Sequence, residues 1–279
     1  MEFIEAVPGI FITRLDPVDI TVTVIVGEDR CLLVDTGSTP QQGAEVRAAI
    51  RGLTDKSLET VVLTHGHWDH AFGLGAFADL DTVGAEMLPE DIRCAENLRW
   101  AADQGIDIDH VDLPATLLSL IAVRNLGGLT AEIADFTPAH TRSDLVVAVP
   151  ERSVLIVGDL VETGPPHFDE TSCLDGWVKS LDALYSLLKP ETVVVLGHGG
   201  AVDPGVVAHF RTGLAAIWDQ AEWCFRQEVP LADAYEFDNL EWPWNRATVE
   251  KGISLAYSEL ALRPPVPPMP EPFLNPDLY

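Results

Sequence analysis

The chain is poor in cysteine and in positive charge. Its four cysteines, Cys31, Cys94, Cys173 and Cys224, stand far apart with no C-x-x-C pair. That spacing excludes a thiolate zinc knuckle and a disulfide framework. Lys and Arg number 17 against 44 Asp and Glu, for a formal net charge of −27. Such a surface repels phosphate backbones and anionic lipid, so neither nucleic acid nor a membrane is the expected partner. No apolar run approaches the roughly eighteen residues of a membrane span. The first residues, MEFIEAVPGIFITRL, carry no basic segment followed by a long apolar one. The expectation is a soluble, cytoplasmic protein.

What is present is enough apolar material for a core. Of 279 residues, 47% are apolar, which suits one large layered α/β domain. Residues 20–26, ITVTVIV, read as a strand, then a turn at 27–30 and a second strand at 31–34 ending in Asp35. A helix is expected over 40–50 and another near 71–78, on either side of a short buried strand at 61–64. Pro89-Glu90-Asp91 opens a helix running to about Asp103, which Gly105 closes. Residues 105–128 read as loop and short elements, part of a cap or insert over 81–129.

The second half repeats the first in outline. SDLVVAVPERSVLIVGDL, residues 143–160, is strand, turn, strand and a terminal aspartate, like 19–37. Strand ends of a layered sheet converge on one rim, where ligands of α/β folds bind. Helices follow at 177–188 and 204–228, with a strand at 192–196 between them. Residues 263–279 are rich in proline and form an extended arm or tail.

The chemistry concentrates in 61-VVLTHGHWDHAFGLG-75. His65 and His67 are two apart, so on a helix they would diverge, but on an extended segment they can share one ion. Asp69 and His70 are adjacent and point to a second ion beside the first. Gly66 permits the close turn such crowding needs. Imidazole and carboxylate suit zinc, iron or manganese.

The cluster THGHWDH, placed after an apolar strand, resembles the signature of the metallo-β-lactamase superfamily. Further positions fit in order: His140 in TPAHTRSD, Asp159 in VGDL, His198 in LGHGG and Asp35 in VDTG. The resemblance runs from about residue 20 to residue 200. It implies an αββα sandwich, with two mixed sheets flanked by helices. It also implies that His65, His67 and His140 hold one ion, that Asp69, His70 and His198 hold another, and that Asp159 bridges them. Asp35 would support the site from behind. In that picture two zinc ions, with iron or manganese as alternatives, activate a hydroxide that Asp69 orients.

The expected activity is hydrolysis of a small ester, thioester, lactone or amide, in a domain spanning 1–262. Asp159 stands where the B1 lactamases carry cysteine, and with His70 this is similar to the glyoxalase II and lactonase branches, so β-lactam turnover is at most a side activity. Alternatives are a mononuclear iron oxidoreductase like the persulfide dioxygenases, a phosphodiesterase, and a binding protein that kept the fold. Trp68 and His167 are candidates for lining the site, against ordinary packing. Cys173 reads as a small buried hydrophobe before a substrate contact. His110 and His209 read as surface or core residues. The expected partner is a small-molecule substrate, with oligomeric state open and a dimer one option.

Overall fold

A computed structural model describes residues 1–236 and 241–263. The first sheet has seven strands in chain order: β1 Ile4–Val7, β2 Ile10–Leu15, β3 Ile20–Val26, β4 Arg30–Val34, β5 Ser57–Val62, β6 Asp81–Ala85 and β7 Thr116–Leu118. The second has six: β8 Ile121–Asn125, β9 Thr130–Asp135, β10 Leu145–Val149, β11 Val154–Gly158, β12 Val193–Leu196 and β13 Ala201–Val202, with β8 and β13 at its edges. The helices are α1 Pro40–Leu53, α2 Trp68–Ala71, α3 Leu88–Asp91, α4 Ala95–Gln104, α5 Leu174–Leu187, α6 Pro204–Arg226 and α7 Arg246–Leu262.

The layering follows from strands that are apolar on both faces. Leu32 and Val34 of β4 point between the sheets, where they meet Ile133, Val147 and Ile156. Cys31 and Leu33 of the same strand point outward, among Val46 and Ile50 of α1. On the other side Leu155 and Val157 of β11 pack outward on Leu181, Leu214 and Ile253 of α5, α6 and α7. Period-two alternation thus feeds three apolar layers, and continuous apolar runs mark strands buried on both faces. The result is two mixed sheets flanked by helices, in the order αββα.

The two strand–turn–strand units of the sequence are antiparallel pairs, β3–β4 and β10–β11. Each delivers its terminal aspartate, Asp35 or Asp159, to the same rim. Backbone hydrogen bonds join the halves there: Thr21 N–H donates to the Gly197 carbonyl at 2.7 Å and Gly199 N–H to the Asp19 carbonyl at 3.3 Å, beside an Ile20–His198 bridge.

Three expectations need correction. The helix expected over 71–78 is a single α-turn at Trp68–Ala71 followed by a 3₁₀ turn at Leu74–Phe77. Gly73 breaks it, because its backbone packs against Gly43 of α1 and the Thr36 carbonyl, where a Cβ would collide at 2.1 Å. The helix expected from Pro89 to Asp103 is two, α3 and α4, divided where Cys94 turns extended and its sulfur accepts from Asn97 N–H. Gly105 does close it, in the left-handed conformation. Finally, much of 81–129 builds the sandwich: β6 and β7 extend the first sheet and β8 the second. Short strands with sparse alternation, such as TLL at 116–118, gave little signal of this. The proline-rich stretch lies outside the described residues beyond Arg263.

Candidate metal centre

The THGHWDH loop leaves β5 in an extended conformation and then makes one helical turn. Leu63 N–H bonds the Val83 carbonyl, and Thr64 accepts from Leu145 N–H, which fixes the loop to both sheets. His67 is extended at the helix N-cap (φ −68°, ψ 149°), so His65 and His67 turn to the same side, and α2 aims Asp69 and His70 to the other. Asn97 of α4 clamps the turn. Its Oδ1 accepts from Trp68 N–H at 2.9 Å and its Nδ2 donates to the Gly66 carbonyl at 2.7 Å.

Three ring nitrogens converge from there. His67 Nδ1 lies 2.9 Å from His65 Nε2 and 3.1 Å from His140 Nε2. A tetrahedral ion with Zn–N of 2.0–2.1 Å separates its nitrogens by about 3.3–3.4 Å, so the triad has close to the right spacing. A second group forms alongside: Asp69 Oδ2 sits 3.6 Å from His70 Nε2 and 3.3 Å from His198 Nε2. Asp159 stands between the groups. Its Oδ2 is 3.7 Å from His65 Nε2, 3.8 Å from His140 Nε2 and 3.2 Å from His198 Nε2, while its Oδ1 faces His70 Nε2 at 3.5 Å.

The donor chemistry fits divalent cations. His70 Nε2 and Asp159 Oδ1 are buried without a hydrogen-bond partner, a cost that coordination removes. Burial holds His65 and His140 well below the ordinary imidazole value, His140 down to about 3, with neighbouring histidines adding to it. Neutral imidazole is the form that ligates. Burial opposes the charge on Asp159 as well, yet His198 and His70 hold its carboxyl well below the usual range. The same residues form two groups of ligand atoms, His65–His67–His140–Asp159 and Asp69–His70–His198.

A surrounding layer orients these ligands. His70 Nδ1 donates to Asp35 Oδ2 at 2.8 Å, and Asp35 also accepts from Thr64 N–H and its hydroxyl. Thr36 bonds the His70 carbonyl twice. His198 is held by Nδ1 donating to the Val18 carbonyl at 2.8 Å. His140 lies in a tight turn whose Thr141 N–H and hydroxyl bond Asp144, a carboxyl that burial pushes up to about 7. Such outer contacts fix tautomer and ring direction.

Asp169 was not foreseen. Its Oδ2 meets His67 Nε2 at 3.1 Å, and its Oδ1 is held by Thr171 N–H and hydroxyl, both at 2.7 Å. Although burial works against it, this carboxylate raises His67 to about 9. The only sequence hint was a carboxylate two positions after His167, in a loop near the motif.

His167 does reach the site mouth: its ring centroid is 5.9 Å from that of His67. Glu96 of α4 accepts from its Nε2 at 2.8 Å. The loop carrying His167 and Asp169 is fastened from below by Lys251, which donates to the Phe168 carbonyl, and by Phe168 packed on Gly252 of α7. Trp68 behaves as core. It is 7% exposed, stacks on Trp100 at 3.8 Å between ring centroids, and its Nε1 donates to Glu96. Cys173 lies at the start of α5 against Glu259, and His110 and His209 are at the surface, so none of these joins the cluster.

Comparison with known proteins agrees with this geometry. The profile of the metallo-beta-lactamase superfamily matches residues 15–198, which takes in every clustered ligand. The chain belongs to that superfamily. It is a metallo-hydrolase with a His/Asp metal-binding cluster. It is 30% identical over 212 residues to a hydroxyacylglutathione hydrolase of Ruegeria pomeroyi, covering 70% of this chain and 74% of that protein. It is 25% identical over 176 residues to a beta-lactamase-like protein 2 homolog of Drosophila melanogaster, covering 62% of this chain and 56% of that one.

Among solved structures, a metallo-beta-lactamase from Pontibacter korlensis superposes with a TM-score of 0.64 at 20% identity, covering 77% of this chain and 98% of that one. A stereoselective inverting sec-alkylsulfatase from Pseudomonas sp. superposes at 0.72 with 16% identity, covering 92% of this chain and 50% of that one. At such identities the two structures establish the fold of this superfamily member. Among the described residues, no helix is long and apolar enough to cross a membrane.

Proposed function

We propose that this member of the superfamily is a dinuclear zinc hydrolase acting on a small carbonyl substrate, an ester, thioester or lactone. One observation carries the reading: the Asp159 carboxylate lies between two complete groups of ligand atoms, with one oxygen toward His65, His140 and His198 and the other toward His70. His65, His67 and His140 would hold the first ion. Asp69, His70 and His198 would hold the second, with Asp159 shared. Two such cations supply Lewis-acid polarisation of the carbonyl and bring water toward ionisation near neutral pH.

The chain's own residues do the rest. Asp69 orients the attacking water and takes its proton; burial opposes its charge, but His70 and His198 keep the carboxyl below its usual range and therefore ionised. Asp35 and Asp169 hold His70 and His67 in the tautomers that present Nε2 and Nδ1 to the ions. His167, braced by Glu96, lines the approach and contacts the substrate beyond the reacting carbonyl. The formal charge of −27 disfavours a polyanion such as a phosphodiester chain. The kinship with a hydroxyacylglutathione hydrolase favours a thioester within the carbonyl class. The catalytic domain runs through residue 262, with the proline-rich stretch appended, and we place the enzyme in the cytoplasm.

The test is metal content by mass spectrometry beside a panel of thioester, lactone, β-lactam and phosphodiester substrates. Two zinc ions per chain with thioester or lactone turnover support the reading. One iron and no zinc, with consumption of oxygen, overturns it. Asp69→Ala should remove hydrolysis while leaving the circular dichroism unchanged.

A further inference from the structure

We infer that Cys94, His67 and Asp169 form a further cation site on the outer side of the metal centre, one that takes thiophilic ions such as cadmium or surplus zinc and turns the centre off through the shared His67 ring. Its effect on rate rests on the zinc-hydrolase reading above; binding at the site does not. His67 has donors at both ring nitrogens. Nδ1 faces His65 and His140, and Nε2 faces Asp169 Oδ2 at 3.1 Å. The Cys94 sulfur joins them there: one ligand atom from each of His67, Cys94 and Asp169 lies within 4.8 Å of the others. A tetrahedral zinc ion places sulfur and nitrogen donors roughly 3.5 Å apart. A modest shift of the sulfur therefore closes the shell, and water completes four-coordination. Of the four cysteines, all free, Cys94 alone enters such a group among the described residues.

Fixing the His67 tautomer needs only the carboxylate, so the sulfur is a surplus donor. It also sets the outer group apart in kind. The inner groups offer imidazoles and carboxylates alone, whereas a thiolate selects soft ions. The outer group is shielded and held. Cys94 is 5% exposed, as are the side chains of His67 and Asp169. Thr171 N–H and hydroxyl hold Asp169 Oδ1, which keeps Oδ2 on the ring. Cys94 stands at the N-cap of α4, where its sulfur accepts from Asn97 N–H. Exposed Glu170 accepts from Ala95 N–H and so ties the Asp169 loop to the same helix start. Burial pushes the Cys94 thiol up to about 12, and the nearby Asp169 and Glu170 carboxylates add to that. The empty site thus holds a protonated thiol in a negative field that a cation relieves. A coordinating ion removes the thiol proton outright.

Filling the outer group changes His67. The ion takes the Nε2 lone pair and the Cys94 sulfur, and the protons of both leave to solvent. Asp169 Oδ2 turns from hydrogen-bond acceptor to ligand. The ring then stands between two cations that repel one another across it. Binding outside therefore weakens binding of the first inner ion, and by linkage the inner ion weakens the outer one equally. A soft ion in excess overcomes that opposition, and hydrolysis falls.

The test titrates cadmium into the zinc-loaded full chain, following the ultraviolet thiolate-to-cadmium absorption and the rate of hydrolysis together. The wild type should gain one saturable band and lose about tenfold in rate as it fills, the size of an ordinary coupling between sites. Cys94→Ser keeps a capping oxygen at the start of α4, so its rate before cadmium should stay within about twofold of wild type. It should show no band, and its inhibition should need about ten times more cadmium. Cys173→Ser removes a thiol outside the group and should behave as wild type. No band in the wild type overturns the inference, as does an equal band in Cys94→Ser or a band that fills without loss of rate. A band that depends on Cys94 in a chain with no hydrolysis before cadmium would uphold the site and count against the zinc-hydrolase reading instead.

Discussion

Asp169 and His67 meet at 3.1 Å, carboxylate oxygen to ring Nε2, across 102 residues of sequence. The opposite nitrogen of that ring is the one facing His65 and His140. The carboxylate therefore decides which nitrogen is free to bind. Asp169→Asn should weaken retention of the first ion by about ten- to a hundredfold, read by titration with a competing zinc chelator. Added zinc should restore most of the activity. Unchanged zinc affinity would remove Asp169 from the site.

Gly197 leaves room for Asp159. A Cβ there would stand 1.9 Å from Asp159 Oδ1 and 2.9 Å from the His70 ring. In Gly197→Ala the carboxylate must swing away from the shared position. The expected result is about one zinc per chain in place of two, and a kcat lower by roughly a hundredfold or more, as the loss of a transition-state contact of a few kcal/mol implies. A variant that keeps two ions and full rate contradicts the shared role of Asp159.

The Glu96–His167 pair sets a pH window. The hydrogen bond to His167 lowers Glu96 from 4.5 to about 2, and the same bond raises His167 above 6.5. A depressed carboxyl stabilises above 4.5 and loses that contribution as pH falls toward 2. A raised imidazole stabilises below 6.5 and loses it as pH climbs through its folded value. Both contributions are present together between about 4.5 and 6.5. An NMR titration should show His167 with a midpoint above 6.5, and Glu96→Gln should bring it down. No difference between the two proteins would show that the contact is not made in solution.

Removing metal should cost stability as well as activity. Asp69 and Asp159 are buried beside four histidines, His65, His70, His140 and His198, and bound cations favour only the folded chain. Ligand at a hundred times its dissociation constant adds about 2.7 kcal/mol, which for a domain of this size is on the order of 5–10 °C in Tm. Chelation should lower the calorimetric transition by that amount and zinc should restore it. A transition indifferent to chelator would argue against a metal centre.

Some of this was legible in residue order and some was not. The start of the cluster was, because an H-x-H-x-D-H run is rare and local, while His140, Asp159 and His198 were reached through the family resemblance and the fold brings them beside it. So were the strands of β3, β4, β10 and β11, whose apolar runs are dense enough to mark two buried faces. The outer supports were hidden. Asp169, Asn97 and Glu96 look like ordinary polar residues, and only tertiary contact shows that Asn97 bonds both Trp68 and Gly66. Nothing at Cys94 forbids helix; it caps α4 by accepting from Asn97 N–H, which places the Asn97 side chain against the Gly66–Trp68 turn, a contact visible only in the fold. Trp68 sits inside the motif, yet its stacking on Trp100 makes it a wall of the core.

The backbone stitch between Thr21 and Gly197 has a consequence for how the molecule could have arisen and how it can be divided. His198 takes its position from Val18 and from the bridge to Ile20, both in the first half. Asp159 and His140 complete groups that begin with His65 and His70. Each half is thus an incomplete chelator that borrows its closing ligands from the other. Two such halves, if cut apart, would lose the apolar layer between the sheets together with half of the cluster, so folding and site are inherited as one unit.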